Sequence, residues 1–144
     1  MDDALILFVD DKPWNADLFA GVLRNHGYTN EIVTVGDGIE ALDFLFARGS
    51  YAGRDVSIKP RLILLDLNMP RMGGLETLRR LRADERTKLL PIVMLTASDD
   101  SGDKAEAYRL GINGYVDKVS NVPFPEMVKR IADYWLGLNE PAPT

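Results

Sequence analysis

The sequence predicts an α/β fold in which a parallel sheet of five strands carries helices on both faces. Five short apolar runs alternate with five amphipathic stretches, and this alternation favours parallel strands joined by helical crossovers. The first, third and fourth runs are continuously hydrophobic, as expected of strands that are covered on both faces. A length of 144 residues is that of a single domain with one core.

The predicted strands follow the apolar runs. The second run includes Glu31 and Thr34, and it is therefore predicted to be an edge strand. In chain order the predicted strands are residues 5–9, 31–35, 62–65, 92–95 and 115–116.

The predicted helices place apolar residues at the 3.6-residue spacing of one helix face. They cover residues 15–25, 39–48, 75–83, 105–110 and 124–138. Their inward faces are predicted to carry Leu18, Phe19, Val22, Leu23, Ala41, Leu42, Leu45, Phe46, Leu75, Leu78, Leu81, Phe124, Val128, Ile131, Trp135 and Leu138. The long connection 49–61 is predicted to run over the surface, and residues 139–144 to form an extended tail after a core at about 4–138.

The composition argues against several classes of protein. The net charge of -5 argues against a nucleic-acid surface, and the absence of cysteine excludes disulfides and thiolate metal sites. No apolar stretch approaches the roughly 18–20 residues of a membrane helix, and the acidic residues 1–4 lack the basic region of a signal peptide. We therefore expect a cytoplasmic, single-domain protein that binds neither nucleic acid nor membrane.

Five polar residues are predicted at the carboxyl ends of four strands, namely Asp10, Asp11, Asp66, Thr96 and Lys118. In a doubly wound sheet the ligand lies beyond this edge, where the strand order reverses. A carboxylate such as Asp66, which ends a buried strand before a Pro/Gly turn, needs cations or donors nearby because unpaired burial is costly. We therefore expect these five residues to form one site.

The chemistry of this group favours phosphoryl transfer with a metal ion. Three adjacent carboxylates raise one another's pKa values, and a hard divalent cation relieves their repulsion. Oxygen ligands that leave room for water suit Mg²⁺ better than zinc or a full calcium cage. Asp66 is the candidate nucleophile toward phosphorus, and Lys118 and Thr96 are the candidate ligands of the remaining phosphoryl oxygens.

Each residue also has a purely structural interpretation. Asp10 and Asp11 precede a proline and a helix, so they could cap that helix. Asn68 follows the third strand and could be only a turn residue. Taken alone, Thr96 is an ordinary strand-end hydroxyl and Lys118 a solvated lysine. Their joint occurrence at one predicted edge is what favours a functional site.

Five segments, in this order and spacing, resemble the receiver domain of bacterial two-component response regulators. They are residues 8–13, 37–42, 64–70, 91–97 and 114–118, and the resemblance spans residues 5 to about 136. Each segment alone is weakly specific. The resemblance implies a flavodoxin-like (βα)5 doubly wound sheet with strand order 2-1-3-4-5.

The resemblance also implies roles at the phosphoryl site. Asp66 would accept a phosphoryl group from a phosphohistidine of a sensor histidine kinase. Asp11, Asp66 and the backbone carbonyl of Asn68 would bind Mg²⁺, and Asp10 would act through water. Lys118 would contact the phosphoryl group.

A switch is implied as well. The Thr96 hydroxyl would swing toward the phosphate while the Tyr115 ring turns inward, which would alter the surface formed by the fourth helix, the fifth strand and the fifth helix. Taken alone, Tyr115 is a half-buried strand aromatic.

Two features bear on the subfamily. The long 49–61 connection and the ending at 134–136 resemble the stand-alone regulators that are paired with bacterial phytochromes. The family usually has proline after the lysine, often through a cis peptide, but here Val119 follows Lys118. Because a non-proline cis bond costs about 3–4 kcal/mol, we expect a trans loop.

The last helix carries a second apolar line, which consists of Met127, Ile131, Tyr134 and Leu138. Two apolar faces on one helix indicate a partner surface. We predict a homodimer through this helix, with the helix that bears Tyr108 as a further contact.

Two other functions remain open. An aspartyl-phosphate phosphatase would use Asp66 as its nucleophile, but such enzymes usually place a second Asp two residues later, where this chain has Asn68. We therefore expect a phosphoacceptor that phosphorylates and dephosphorylates itself rather than a turnover enzyme. A degenerate receiver would be a phosphorylation-independent protein-binding module; the loop after Lys118 favours it, and the intact polar set opposes it.

Overall fold

The structure is a computed structural model that describes residues 4–98 and 100–143. The predicted sheet is confirmed, with five parallel strands in the order β2-β1-β3-β4-β5. The strands are β1 Ile6–Val9, β2 Ile32–Val35, β3 Leu62–Leu65, β4 Ile92–Thr96 and β5 Gly114–Asp117. The second strand lies at an edge, as its polar residues predicted.

The pairing register brings the carboxyl ends of the strands together. Val9 pairs with Val35 on one side and with Leu65 on the other, and Thr96 pairs with Asp117. The residues that follow these positions therefore emerge at the same edge of the sheet.

Helices cover both faces of the sheet. Leu7 of β1 belongs to the core that packs beneath α2, α3 and α4, whereas Ile6 belongs to the core beneath α1 and α5. The alternation of side chains along a strand produces these two layers. The helices are α1 Pro13–Asn25, α2 Gly38–Phe46, α3 Gly74–Ala83, α4 Ser101–Arg109 and α5 Phe124–Ala132, and a 3-10 turn covers Gly49–Tyr51.

The fourth helix begins four residues earlier than the predicted residue 105. Asp100 caps it, and its carboxylate accepts hydrogen bonds from the backbone N–H groups of Gly102 and Asp103. The first turn is stabilised by this cap rather than by an apolar face, so hydrophobic periodicity did not reveal it.

Two predicted inward residues are exposed. Leu18 of α1 is 55% exposed, so the apolar stripe of this helix is narrower than its sequence indicated. Leu138 is 74% exposed because the chain changes from α-helix to a π-helical segment at Asp133–Leu138. The wider turn shifts the side chains out of the 3.6-residue period, and Leu136 is buried instead.

The predicted second apolar line of the last helix is only partly exposed. Met127 and Ile131 are buried in the core beneath α1 and α5, which corrects their assignment to a partner surface. Tyr134 remains about half exposed, and Tyr108 on α4 is exposed as well.

The connection 49–61 lies at the surface as predicted, and residues 139–143 carry no regular secondary structure. Residues 1–3 and Thr144, which the sequence placed in an acidic terminus and in the tail, lie outside the described residues. None of the helices in the described ranges has the length and apolar character that a membrane crossing requires.

Gly74 should be required at the start of α3, because a Cβ atom there would lie 2.3 Å from the backbone oxygen of Asp66. We expect Gly74→Ala to lower the free energy of unfolding by about 1–3 kcal/mol, as overpacking does. Urea denaturation measures the change.

Gly21 provides the matched control, since it lies within α1 and a Cβ there meets no atom within 4 Å. Gly21→Ala should raise the free energy of unfolding by about 0.5–1 kcal/mol through helix propensity. If both variants changed the free energy of unfolding by the same amount, the close contact at Gly74 would not constrain the fold.

Candidate functional site

Three carboxylates meet beyond the carboxyl ends of β1 and β3. One oxygen from each of Asp10, Asp11 and Asp66 lies within 4.8 Å of the others. Asp10 and Asp66 are buried, whereas Asp11 is exposed to solvent. The buried pair therefore needs compensation from within the protein, and the exposed member gives the group an open side.

Lys118 compensates one of the buried acids. Its Nζ lies 2.9 Å from Oδ2 of Asp10, and the exposed fractions of the two side chains are only 14% and 2%. Oδ2 of Asp10 also accepts a hydrogen bond from the side-chain amide of Asn15 at 3.0 Å, and Oδ1 accepts one from the backbone N–H of Lys12 at 2.8 Å. Three donors thus occupy most of the lone-pair sites of Asp10.

The negative charge of Asp66 is less fully compensated than that of Asp10. Oδ1 of Asp66 accepts the backbone N–H of Leu67 at 2.8 Å, and the nearby Thr96 hydroxyl favours the charged form of the carboxylate. Burial raises the pKa of Asp66, and the charge of Asp10 adds to this effect, while Lys118 and the hydrogen bonds oppose it. The outcome is a carboxylate whose pKa lies above its ordinary value.

Thr96 and Tyr115 lie on neighbouring strands at the same edge. The Thr96 hydroxyl is buried and accepts the backbone N–H of Ser98 at 3.3 Å. The hydroxyl of Tyr115 donates to the carbonyl of Ser98 at 3.3 Å, and its half-buried ring lies 5.6 Å from Nζ of Lys104. Both predicted switch residues thus contact the segment that joins β4 to α4.

The loop after Lys118 keeps this lysine at the site without a proline. No cis peptide bond occurs in the described residues, as expected for Val119. The carboxylate of Asp117 accepts the backbone N–H of Val119 at 2.9 Å, and the backbone N–H of Lys118 donates to Thr96. These bonds fix the chain on either side of Lys118, so the unusual loop does not displace it.

The loop from β3 to α3, which contains Asn68, is anchored to α2. Asp37 is buried, caps α2 through the backbone N–H of Glu40, and receives Nε of Arg71 at 2.6 Å. Arg71 has a left-handed backbone with φ of 62°, and the backbone N–H of Gly38 donates to the carbonyl of Met72. These contacts fix the path of the loop.

Sequence reasoning missed Asn15 and Arg71. Asn15 lies in the first turn of α1, five residues after Asp10, and this position was the available signal for a contact with Asp10. Arg71 pairs with Asp37, which is 34 residues away in the chain, and no local pattern indicates such a pair. The capping interpretation of Asp10 and Asp11 is not supported, because the cap residue of α1 is Lys12 and has no side-chain cap bond.

The arrangement can hold a hard metal ion and a small anion side by side. Carboxylate oxygens are suitable ligands for such ions, and the exposed Asp11 leaves room for water. Next to them an open cavity of about 500 Å³ is lined by Asp66, Asn68, Thr96 and Lys118. The cavity thus combines a carboxylate, a hydroxyl group and a cation.

Comparison with known protein families gives one match over most of the chain. A family model described as the response regulator receiver domain matches residues 6–132. The response regulator Rcp1 of Synechocystis sp. is 35% identical over 133 residues, which cover 92% of this chain and 88% of that protein. The probable methanogenesis regulatory protein FilR2 of Methanothrix harundinacea is 35% identical over 139 residues, which cover 96% of this chain and 87% of that protein.

Solved structures share the fold along nearly the whole chain. The crystal structure of the phosphorylated cyanobacterial phytochrome response regulator RcpA superposes with a TM-score of 0.89, at 34% identity, and covers 99% of this chain and 100% of its own. The crystal structure of the Mn²⁺-bound form of Rcp1 gives a TM-score of 0.88 at 32% identity, and the match covers 97% of this chain and 99% of that chain.

Because the pKa of Asp66 is raised in the folded protein, the stability of the fold should depend on pH through this group. The folded protein binds this proton more tightly than the unfolded chain, so the stabilisation from protonation is complete below the unfolded pKa of 3.8 and is lost as the pH rises through the folded value. We therefore expect Asp66→Asn to unfold at a higher temperature than the wild type at pH 7.5 in EDTA, and the difference to shrink toward pH 3.5.

Glu76→Gln should change the stability at pH 7.5 in the opposite direction from Asp66→Asn. Arg79 and Arg80 lower the pKa of Glu76 to about 2, so its stabilisation is present above pH 4.5 and is lost as the pH falls toward 2. This variant should be less stable than the wild type at pH 7.5. Thermal unfolding in which Asp66→Asn also lost stability at pH 7.5 would contradict the environment described for Asp66.

Proposed function

The chain belongs to the response regulator receiver domain family, and from this membership we propose that Asp66 accepts a phosphoryl group from a phosphohistidine of a sensor kinase. The observation that carries the proposal is the position of Asp66, whose carboxylate lies beside two further acids and borders the cavity that contains Lys118 and Thr96. The reaction would control a signalling switch in a two-component system.

The acidic group is the proposed magnesium site. Asp11, Asp66 and the backbone carbonyl of Asn68 are the proposed ligands, and Asp10 would take part through water, since three donors already occupy its oxygens. A magnesium ion supplies positive charge that offsets carboxylate repulsion and the negative charge of a phosphoryl group. A manganese-bound form is known for Rcp1, to which the chain is similar.

The transfer step would be a displacement at phosphorus. A carboxylate oxygen of Asp66 would form the new P–O bond while the P–N bond to the imidazole of the donor breaks and its electron pair returns to the ring. The Leu67 amide holds Oδ1 and thereby fixes the orientation of the carboxylate. Lys118 and the Thr96 hydroxyl would then contact the phosphoryl oxygens.

Phosphorylation of Asp66 would change the contacts that the switch residues Thr96 and Tyr115 make. The Thr96 hydroxyl borders the same cavity as Asp66 in this structure, and phosphorylation would direct it toward the phosphoryl oxygens. Tyr115 contacts the same β4–α4 segment through Ser98, so a movement of that segment would alter the surface of α4, β5 and α5. The switch requires these two states to bind the phosphoryl group with different affinity.

The two other functions receive less support. The exposed Asn68 occupies the position at which an aspartate-dependent phosphatase would have its second Asp, so slow self-hydrolysis, rather than turnover, would reset the switch. A degenerate receiver would have lost part of the site, whereas Lys118 contacts Asp10 here despite its altered loop.

A sensor histidine kinase is the proposed partner, and a bacterial phytochrome is the proposed sensor. This partner is inferred from similar proteins, which include RcpA and the bacteriophytochrome response regulators RtBRR and AtBRR. The absence of cysteine fits a reducing compartment, so the proposed location of the receiver is the cytoplasm.

Incubation with acetyl phosphate and Mg²⁺ should add one phosphoryl group to the wild type, as measured by intact mass spectrometry. Asp66→Asn should abolish the addition because it removes the nucleophile. Asp43→Asn is the matched control, since Asp43 lies on α2 and pairs with Arg48, and it should react like the wild type. Incorporation that persists in Asp66→Asn, or that needs no metal, would refute the assignment.

We also propose that the chain forms a homodimer through its last helical segment. After correction for the buried residues, the proposed contact consists of Tyr134, Leu138 and Tyr108, all of which are exposed. Exposed aromatic and aliphatic groups of this size are typical of interfaces.

Sedimentation equilibrium tests the dimer with Leu138→Glu, which should weaken self-association at least about tenfold because it places a charge in the contact. Leu89→Glu, at another exposed leucine before β4, should leave association unchanged. A monomer at high concentration, with and without a phosphoryl mimic, would exclude the proposed dimer.

A further inference from the structure

A second cavity lies at the opposite end of the sheet from the carboxylates. It has a volume of about 370 Å³ and is formed by the C-terminal end of α2, the connection that precedes β3 and the connection that precedes β4. This volume is within the range of small-molecule sites, which is about 300–1,000 Å³. Nothing in the phosphoryl chemistry described above involves this cavity.

The cavity has an apolar floor and an apolar wall. Leu45 and Leu90 line it and are buried. Val56 lines the cavity from the connection that precedes β3, and its side chain is 45% exposed. Exposure of an apolar side chain to water is unfavourable in free energy. An apolar group bound between these three residues would remove apolar surface from solvent.

Positive charge is concentrated at the same cavity. Arg54, Lys59 and Arg86 line it, and no acidic residue does so within the described part of the chain. Arg86 is paired with Asp84, whose Oδ2 lies 2.8 Å from its Nη2, so Arg54 and Lys59 supply the positive charge at the cavity in a chain whose net charge is -5. Across residues 4–98 and 100–143, neither Arg54 nor Lys59 forms an ion pair with a carboxylate.

The cationic side chains are fixed in place before any ligand binds. Arg54 lies over the Phe44 ring at 4.0 Å, its Nε donates to the carbonyl of Phe44 at 2.7 Å, and its Nη1 donates to that of Ile58 at 2.9 Å. Nζ of Lys59 donates to the carbonyl of Arg86 at 2.9 Å. Binding to such a prearranged site costs less conformational entropy.

We propose that this cavity binds a small amphiphilic anion, with an aromatic or aliphatic body against Leu45, Val56 and Leu90 and a carboxylate, sulfonate or phosphate group beside Lys59 and Arg54. The apolar lining accounts for the body, and the unpaired cations account for the charged group. The site is separate from Asp66, so this proposal does not depend on the phosphoryl chemistry.

Anilinonaphthalene sulfonate is a suitable probe because it joins two aromatic groups to one anionic group. Titrated against the folded, full-length protein, it should bind saturably with a Kd below about 1 mM. In ¹⁵N-labelled protein it should shift the amide resonances of Val56, Ser57 and Thr87. The uncharged analogue N-phenyl-naphthylamine should bind at least about fivefold more weakly, because it cannot use the cations.

Two variants localise the charge. Lys59→Gln keeps a donor for the Arg86 carbonyl and should weaken probe binding about threefold, and Lys59→Glu should weaken it about tenfold or more. Lys88→Glu makes the same change of charge on the connection before β4, where Nζ of Lys88 pairs with Glu85 outside the cavity. It should leave the probe affinity unchanged.

Several outcomes would overturn the proposal. They are the absence of saturable binding, equal binding of the uncharged analogue, amide shifts confined to the exposed Trp14 and Leu18 of α1, and equal weakening by Lys88→Glu. A change of oligomeric state in Lys59→Glu would also do so, because the cavity would then be a contact between chains.

Discussion

The crowding of three carboxylates at one edge of the sheet is the constraint on which the rest of this structure depends. Asp10 and Asp66 are buried, and two unpaired buried charges at that separation would be too costly to retain. Lys118 and Asn15 offset the charge of Asp10, whereas Asp66 is left with a raised pKa. The fold thus compensates the charge of Asp10 and leaves Asp66 in need of positive charge, which is the property that the proposed metal-assisted phosphoacceptor requires.

The strands and the loops that follow them hold the residues of this site in fixed positions. Parallel strands in register deliver Asp66, Thr96 and Lys118 to the same edge from three different strands. Gly74 lets α3 begin against the backbone of Asp66, and the ion pair between Asp37 and Arg71 ties the following loop to α2. The family's usual proline after the lysine is replaced here by a turn built on Asp117, which leaves the contact between Lys118 and Asp10 intact.

Much of this could be predicted from the sequence, because continuous apolar runs reveal buried strands and parallel strands bring their carboxyl ends together. The failures share a cause, since none of these features is visible in the hydrophobic periodicity of the sequence. The π-helical segment shifts Leu138 out of the inward stripe and buries Leu136. The cap at Asp100 lengthens α4, and the contact of Arg71 with Asp37 bridges distant parts of the chain.

The three carboxylates at the edge of the sheet are proposed to bind a divalent cation. Isothermal titration calorimetry with MgCl₂ measures this on the unmodified protein and on Asp11→Asn, which alters the exposed acid and therefore spares the buried pair between Asp10 and Lys118. We expect one Mg²⁺ per chain for the wild type and an affinity at least about tenfold lower for Asp11→Asn. A wild type that binds no Mg²⁺, or a variant that binds it equally well, would exclude a metal site at these carboxylates.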